Sequence, residues 1–514
     1  MTNDSQEKPT AMVFEVLKAA IIDGSAARLG RMALAGRRSV DTPNYLAVAS
    51  RGVVPHMTPD NVGKYLHSGG VYMALEEVIE RPQQYSKRQT PIYDTPTSHG
   101  RRPLHSFTAM PSDLMTVLSA RRLPAVPSPM GNSNASISIF TSTGYQVLTT
   151  KEYQNAVETL RPDIAIPLAD LTYGPITPTS KRALRMAERT DEWLKNWFAD
   201  EDASADGPQQ RDVAVFAPVL PVSYSIQWEY LERLSEELST RIAGLAVYNP
   251  DVLLDLLSDY ANLATLPRLS VSAVTTPHHI LRQISLGFDA FVLPFINLVS
   301  DAGIAMTFTF PPSQTTPTLL PLGVDLSSPA CKTSLAPLSP NCTCYACTAH
   351  HAAYVHHLLG AREMLGWTLL QTHNHTVVAA FFASVRAALA QGEEAFEGAA
   401  HQFALRYEPE FPAGTGERPR ARGYQFKGEA GGEVKPKLNK PAWGKLDGEG
   451  GGLGLTRVRA KKGVAPAVAV AAAAVVVAGE LVESDAEGGA RLETPPVSDG
   501  VADVDAQELN SLPR

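Results

Sequence analysis

Cysteine is scarce, with four in 514 residues, and all four fall between Cys331 and Cys347. That excludes a disulfide framework, and the crowding points instead to a metal site in a reducing compartment. There is no global excess of basic charge: 45 Lys and Arg stand against 53 Asp and Glu, for a formal net charge of -8. Any nucleic-acid contact must therefore come from a local patch. Neither GxGxxG nor a Walker motif occurs, which argues against a dinucleotide or P-loop nucleotide site, and the absence of HExxH removes the metallopeptidase reading. The opening MTNDSQEKPTAMVFEVLKAA is polar and acidic, without a charged-then-apolar leader pattern. A soluble, cytoplasmic protein is expected, with no transmembrane segment.

Aromatic residues are sparse in one region above all. Pro412 to Arg514 contains 17 of the 37 glycines and only Tyr424, Phe426 and Trp443 as aromatics. A stretch so poor in large apolar groups does not offset the ~1–2 kcal/mol per residue of backbone ordering, so residues 412–514 read as a low-complexity, disordered tail. Residues 1–12 read as a disordered N-terminus. Within the tail, residues 417–462 carry twelve basic and five acidic groups, while residues 463–514 carry two and nine. A solvated linker with mutually attracting halves fits this, and weak phosphate binding by the basic half is the alternative. Val464 to Ala478 is apolar but short, Ala-rich and interrupted by Pro466. A membrane span needs about 20 residues, so it reads as low complexity, with a membrane-surface role the open alternative.

Residues 13–411 are patterned. Asp163–Asp170, Val213–Val219, Arg241–Val247, Arg268–Val274 and Ala290–Phe295 are short apolar runs. Helical stretches near Thr179–Phe198, Ser225–Ser239, Asp251–Leu263 and Pro277–Leu286 separate them. Regular strand–helix alternation implies a parallel sheet buried on both faces. At least four consecutive units, with more strands upstream, predict an α/β fold of the (β/α)8 TIM-barrel type; a doubly wound open sheet is the runner-up. Arg81–Arg102 and Ala199–Arg211 read as exposed loops.

Cys342-Thr-Cys344-Tyr-Ala-Cys347 places three thiolates within six residues, and a fourth ligand would close a tetrahedral zinc site. His350 and His351 are too close in sequence to reach round the ion, and His356 and His357 are angled away on a helix. His373 follows Cys347 by 26 residues, enough for two short helices to run out and back, and it opens an apolar run; His375 is its rival. The predicted ligands are Cys342, Cys344, Cys347 and His373. Such a closed Cys3His site is structural, in an inserted subdomain at about residues 331–385, with Cys331 a bystander.

These spacings resemble the zinc subdomain of tRNA-guanine transglycosylases: Cys-x-Cys-x2-Cys, then a His-Asn pair, with Tyr354-Val-His-His-Leu-Leu359 between. Further likeness lies in Phe14-Glu-Val-Leu17, Ala27-Arg-Leu-Gly-Arg31, Asp41-Thr-Pro43, Met57-Thr-Pro59, Ile242-Ala-Gly-Leu-Ala-Val247, and Pro267-Arg-Leu-Ser-Val271 through Gly287-Phe-Asp289. In that family a carboxylate attacks the ribose anomeric carbon, expels guanine and holds a covalent RNA adduct. The family motif Gly-x-Asp-x-Phe-Asp-Cys reads here Gly287-Phe-Asp289-Ala-Phe-Val292-Leu293, so the nucleophile's place is taken by Val292. Asp289 matches the first, non-nucleophilic aspartate, with a strand-end hydrogen bond as its ordinary role. The second catalytic motif, Asp-Ser-Gly-Gly-Phe-Gln, is absent, and Asp113 lies out of its register. Asp170 aligns with the base-contacting aspartate, but Tyr248-Asn249 replace the small and acidic residues that follow the Gly-Leu-Ala-Val strand.

No catalytic residue is therefore expected. The resemblance is to the non-catalytic branch of the family. It implies a heterodimer with a catalytic queuine tRNA-ribosyltransferase subunit, contacts to tRNA, and guanine-to-queuine exchange at the wobble position of tRNAs with GUN anticodons. In the family the zinc subdomain helps form the dimer contact. Lys181, Arg182 and Arg185 are candidate phosphate contacts, read more simply as a solvated helix face. A peripheral association with the mitochondrial outer membrane, implied for some members, is written in no legible feature of the chain. Two other readings stand beside this one: a self-sufficient transglycosylase using Asp289 or Asp170, and a zinc-stabilised RNA-binding scaffold.

Overall fold

The computed structural model describes residues 12–419 except 20–25, 80–90, 98–100, 129, 143, 174–176, 203–212, 273 and 313–318. Residues 1–11 of the expected N-terminal disordered segment and residues 420–514 of the expected tail lie outside the described residues, as does most of Arg81–Arg102; Met12 packs against the barrel interior.

Eight parallel strands close into a barrel: β1 (Asn44–Val48), β2 (Gly70–Ala74), β3 (Met115–Ser119), β4 (Ile164–Ala165), β5 (Ala214–Val219), β6 (Gly244–Val247), β7 (Arg268–Ser270) and β8 (Ala290–Val292). Each strand pairs with its sequence neighbour, and β8 returns to β1 through Ala290 opposite Asn44 and Val292 opposite Leu46. Side chains alternate as a pleated strand requires: Ala290 and Val292 enter the barrel interior with Leu46, Val117, Ile164 and Phe216, while Phe291 faces the surrounding helices. Gly244 is needed for this filling, since a Cβ there would lie 2.6 Å from the Phe216 ring. An antiparallel sheet of Val13–Lys18, Leu29–Ala33 and Val40–Thr42 closes the N-terminal end, contributing Met32 and Val40 to the interior.

The expected runs were longer than the strands that form. Pro167 cannot donate to a ladder, and β4 ends at Ala165. The helix expected over Asp251–Leu263 is broken into Pro250–Val252, Leu253–Asp259 and Ala261–Ala264. The outer helices include α1 (Ser180–Asp202), α2 (Tyr224–Glu236), α3 (Pro277–Ser285) and α4 (Phe295–Asp301). Helix α1 thus runs into the segment expected to be the Ala199–Arg211 loop, and Ile92, in the expected Arg81–Arg102 loop, is buried in the helical turn Pro91–Asp94.

After α4 the chain forms an antiparallel pair, Ile304–Met306 with Gly323–Asp325, then α5 (Tyr345–Ala349), α6 (Ala352–Gly360), α7 (Met364–Gln391) and α8 (Glu393–Arg406). Helix α7 belongs to two cores. Its first turns give Trp367, Leu369 and Leu370 to a small cluster with Cys331, Leu338, Cys344 and Val355. Its later turns give Val378, Phe381, Phe382 and Val385 to the shell between barrel and helices. A helix apolar on nearly every side is what burial from two directions requires. No helix among the described residues is long and apolar enough to cross a membrane.

The chain stays attached beyond Phe411, which stacks on Phe295 at 5.7 Å. Thr415 donates its backbone N–H to Asp325 at 2.9 Å, and Glu417 pairs with Arg362. Residues 412–417 are therefore part of the folded body, held by partners far back in sequence that composition does not reveal.

Candidate metal centre and barrel mouth

Cys344 is the N-cap residue of α5 and Cys347 lies within that helix, so one short turn sets the spacing of the two thiols. The third, Cys342, lies on the loop just before. Facing them, His373 occupies the third turn of α7. Its Nδ1 lies 3.6, 3.5 and 3.4 Å from the Sγ atoms of Cys342, Cys344 and Cys347. All four donor atoms lie within 4.8 Å of one another. A tetrahedral zinc ion, with bonds of ~2.3 Å to sulfur and ~2.0 Å to nitrogen, spans about 3.5 Å between such ligands. The four residues therefore fit zinc in donor type and in spacing.

The outer contacts fix the histidine's tautomer. His373 Nε2 donates to the Met306 carbonyl at 2.9 Å, which leaves Nδ1 with its lone pair toward the thiols. Asn374 locks the same junction: its Oδ1 accepts from Met306 N at 2.9 Å, and its Nδ2 donates to Ser300 Oγ and Ile304 O. This explains the His-Asn pair physically, a role for Asn374 that sequence reasoning did not assign. The rival His375 points elsewhere, with Nδ1 3.1 Å from Tyr45 Oη, and burial lowers its pKa to about 3. The route to His373 differs from the two short helices expected; α5 and α6 lead into one 28-residue helix. Cys331 is outside the cluster, its thiol donating to Asp325 O at 3.7 Å.

The C-terminal ends of the strands, where TIM barrels carry their chemistry, are closed in this chain. Val292 is fully buried in the interior, a hydrocarbon with no group to attack a sugar. Asp170 takes four hydrogen bonds: two from Arg182 at 2.7 and 2.5 Å, one from Arg189 at 3.1 Å, and one from Asn132 at 2.7 Å. Burial alone would raise its pKa, but these donors outweigh burial and hold it below the ordinary carboxylate range. Arg182 is thus a buried carboxylate's partner, a correction to its reading as a solvated helix face. Arg182 and Arg189 sit two turns apart on one side of α1, a spacing that could have suggested a shared target.

Asp289 lies at the other end of the barrel. Arg28 grips it with two bonds of 2.9 and 2.7 Å, and Arg268 N donates at 2.8 Å. This is the structural role expected for it. Asp113 is on the surface, 3.3 Å from Arg38. At the mouth, Tyr72, Ser119, Arg121, Tyr173 and Tyr248 line a cavity of about 20 Å³. That holds about one water, whereas ligand pockets run to ~300–1,000 Å³. Tyr248 does fill the space, as its bulk suggested, but Tyr72, Tyr173 and Arg121 were not foreseen. Asn249 turns away to cap the following turn, accepting from Asp251 N at 3.1 Å. A larger cavity, about 340 Å³, lies at the N-terminal end beside Lys18, Arg28 and Gly392.

The surface beside the Cys3His cluster carries a row of rings. Tyr65 stacks on Tyr345 at 5.7 Å, Tyr345 meets His350 at 5.4 Å, and His350 stacks on Tyr354 at 5.3 Å. Tyr345 is 45% and Met364 55% exposed.

Comparison with known proteins agrees with this geometry. The family model for queuine tRNA-ribosyltransferase matches residues 23–409. A queuine tRNA-ribosyltransferase accessory subunit 2 from Schizosaccharomyces pombe is 34% identical over 405 residues, covering 78% of this chain and 86% of that protein. Proteins of the same name from Trichoplax adhaerens and Xenopus laevis are each 26% identical, over 72% of this chain and 95% of their own length. The chain belongs to the queuine tRNA-ribosyltransferase family, the tRNA-guanine transglycosylases.

Proposed function

We propose that this chain is the accessory, non-catalytic subunit of a heterodimeric queuine tRNA-ribosyltransferase. Its partner is a catalytic paralogue of the same barrel fold. Together they exchange guanine for queuine at the wobble position of tRNAs with GUN anticodons, in the cytoplasm. This chain contributes the dimer contact and holds the tRNA.

The observation that carries the reading is the state of the barrel mouth. A nucleophile needs a carboxylate with a free lone pair aimed at open space. Here Val292 is buried hydrocarbon, Asp170 is saturated by arginines, and the cavity is the size of one water. The relatives are accessory subunits by name, which supports an accessory role. Cys342, Cys344, Cys347 and His373 hold one structural zinc. It ties α5 to α7 and so steadies the exposed ring row of Tyr345, His350 and Tyr354, the surface we assign to the partner. Aromatic rings with an apolar rim are a composition suited to an interface core.

The test is base exchange into tRNA by the purified chain, alone and mixed with its catalytic paralogue. Silence alone and activity in the mixture are expected. Turnover by the chain alone would favour the self-sufficient enzyme. Failure to bind the paralogue, with RNA binding intact, would favour the zinc-stabilised RNA scaffold.

A further inference from the structure

The mouth of the barrel contains a buried positive charge that no carboxylate among the described residues pairs with. Arg121 follows β3 and is only 9% exposed. Among the described residues its one side-chain hydrogen bond runs from Nη2 to Asn132 Oδ1 at 3.2 Å, and its guanidinium lies 4.9 Å from the Tyr173 ring centroid. A guanidinium has five N–H donors, so most of these have no protein acceptor among the described residues, and Arg121 lines the cavity. The neighbouring carboxylates are already taken. Asp170 is bound by Arg182 and Arg189, and Glu76 is bound by Arg122 at 2.8 Å. Among the described residues no carboxylate forms an ion pair with Arg121. A buried, unpaired charge is strongly disfavoured unless a counter-charge comes from outside.

We propose that this mouth is a socket for a phosphate-type oxyanion, gripped by Arg121. Two guanidinium groups, Arg182 and Arg189, already hold Asp170, and Asn132 bridges Arg121 to the same carboxylate. The planar fork of arginine presents N–H donors to the phosphate oxygen that enters. Tyr72 already donates its hydroxyl proton to Arg121 O at 2.7 Å, while burial raises the hydroxyl pKa of Tyr173 and Tyr248, so these two stay protonated and able to donate. The water-sized cavity admits one oxygen of the anion and excludes a base. A phosphate of the RNA backbone is the occupant we favour, and that part rests on the accessory-subunit reading; a free phosphate shares the same chemistry.

Two arms separate the sources. In the first, the full-length chain is heated in phosphate and in chloride at equal ionic strength, as wild type, Arg121→Gln and Arg121→Lys. A phosphate-specific rise in the melting midpoint is expected, lost in Arg121→Gln and partly kept in Arg121→Lys. In the second, tRNA binding is titrated across salt. Arg121→Gln should weaken it several-fold and lower the salt slope by roughly one, with pairing to the catalytic paralogue unchanged. Phosphate protection without an effect on tRNA binding would keep the socket and assign it to free phosphate. No phosphate-specific protection of the wild type, together with tRNA binding indifferent to Arg121, would overturn the proposal. The wild-type arm decides even where a variant misfolds, and loss of pairing alone would count against the accessory reading only.

Discussion

At the metal centre, three thiols and an imidazole nitrogen point at one another across 3.4–3.6 Å, each leaving an electron pair for an ion. At the barrel mouth, Asp170 has every favourable direction occupied by an N–H donor, and Val292 offers nothing to bond. The two sites are built with similar care for hydrogen bonding, since Met306 and Asn374 orient the histidine as Asn132 and two arginines orient the aspartate. The difference lies in whether a lone pair is left free. A site that gathers a cation leaves its donors open, while a carboxylate meant for structure is saturated. Support around a residue therefore does not distinguish chemistry from architecture; spare valence does.

The largest effect should come from dismantling the metal centre. Cys344→Ser or strong chelation is expected to remove one zinc per chain, read by elemental analysis. Because structural zinc binding contributes about 10–16 kcal/mol in small domains, the loss should unfold the subdomain around α5 and α6 and abolish pairing with the catalytic paralogue. Next, Val292→Asp would place a carboxylate at the family's nucleophile position. With no partner in a hydrocarbon interior, it should cost several kcal/mol in denaturant unfolding and create no base exchange. Asp289→Asn breaks a pair with both side chains buried, and about 3–5 kcal/mol of stability should be lost, with exchange by the assembled complex unchanged per folded molecule.

The smallest effect concerns pH. Asp170 has a folded pKa below its ordinary 3.8. Its stabilisation is present above that ordinary value and is lost as pH falls through the folded one. Wild type and Asp170→Asn should therefore differ in stability at pH 7 and begin to converge only as pH falls below about 4, monitored by thermal unfolding across pH. A difference that widened on acidification would mean Asp170 is not held ionised by Arg182 and Arg189.

The cluster of Cys342, Cys344, Cys347 and His373 was legible because three of its members lie within six residues, so covalent geometry does most of the work, and His373 was the nitrogen at a workable distance. The barrel was legible from alternation of apolar runs and helices. The path of α7 was not: two short helices leading to an apolar run at His373 were expected, yet burial by two cores carries one helix through the whole stretch. Nor were the partners of Asp170 or the ring of Tyr72, Tyr173 and Tyr248. Those contacts join residues from different strands and loops, and an arginine on a helix carries no local mark of the carboxylate it will meet. The folded boundary past Phe411 was hidden for the same reason, since Thr415 is held by Asp325, 90 positions earlier.

The most direct test of the central claim is to trap the covalent RNA adduct in the mixed complex and separate the chains under denaturing conditions. The account predicts an RNA-linked band at the mass of the catalytic paralogue and none derived from this 55.3 kDa chain. An adduct on this chain, lost in Asp170→Asn or Asp289→Asn, would contradict it.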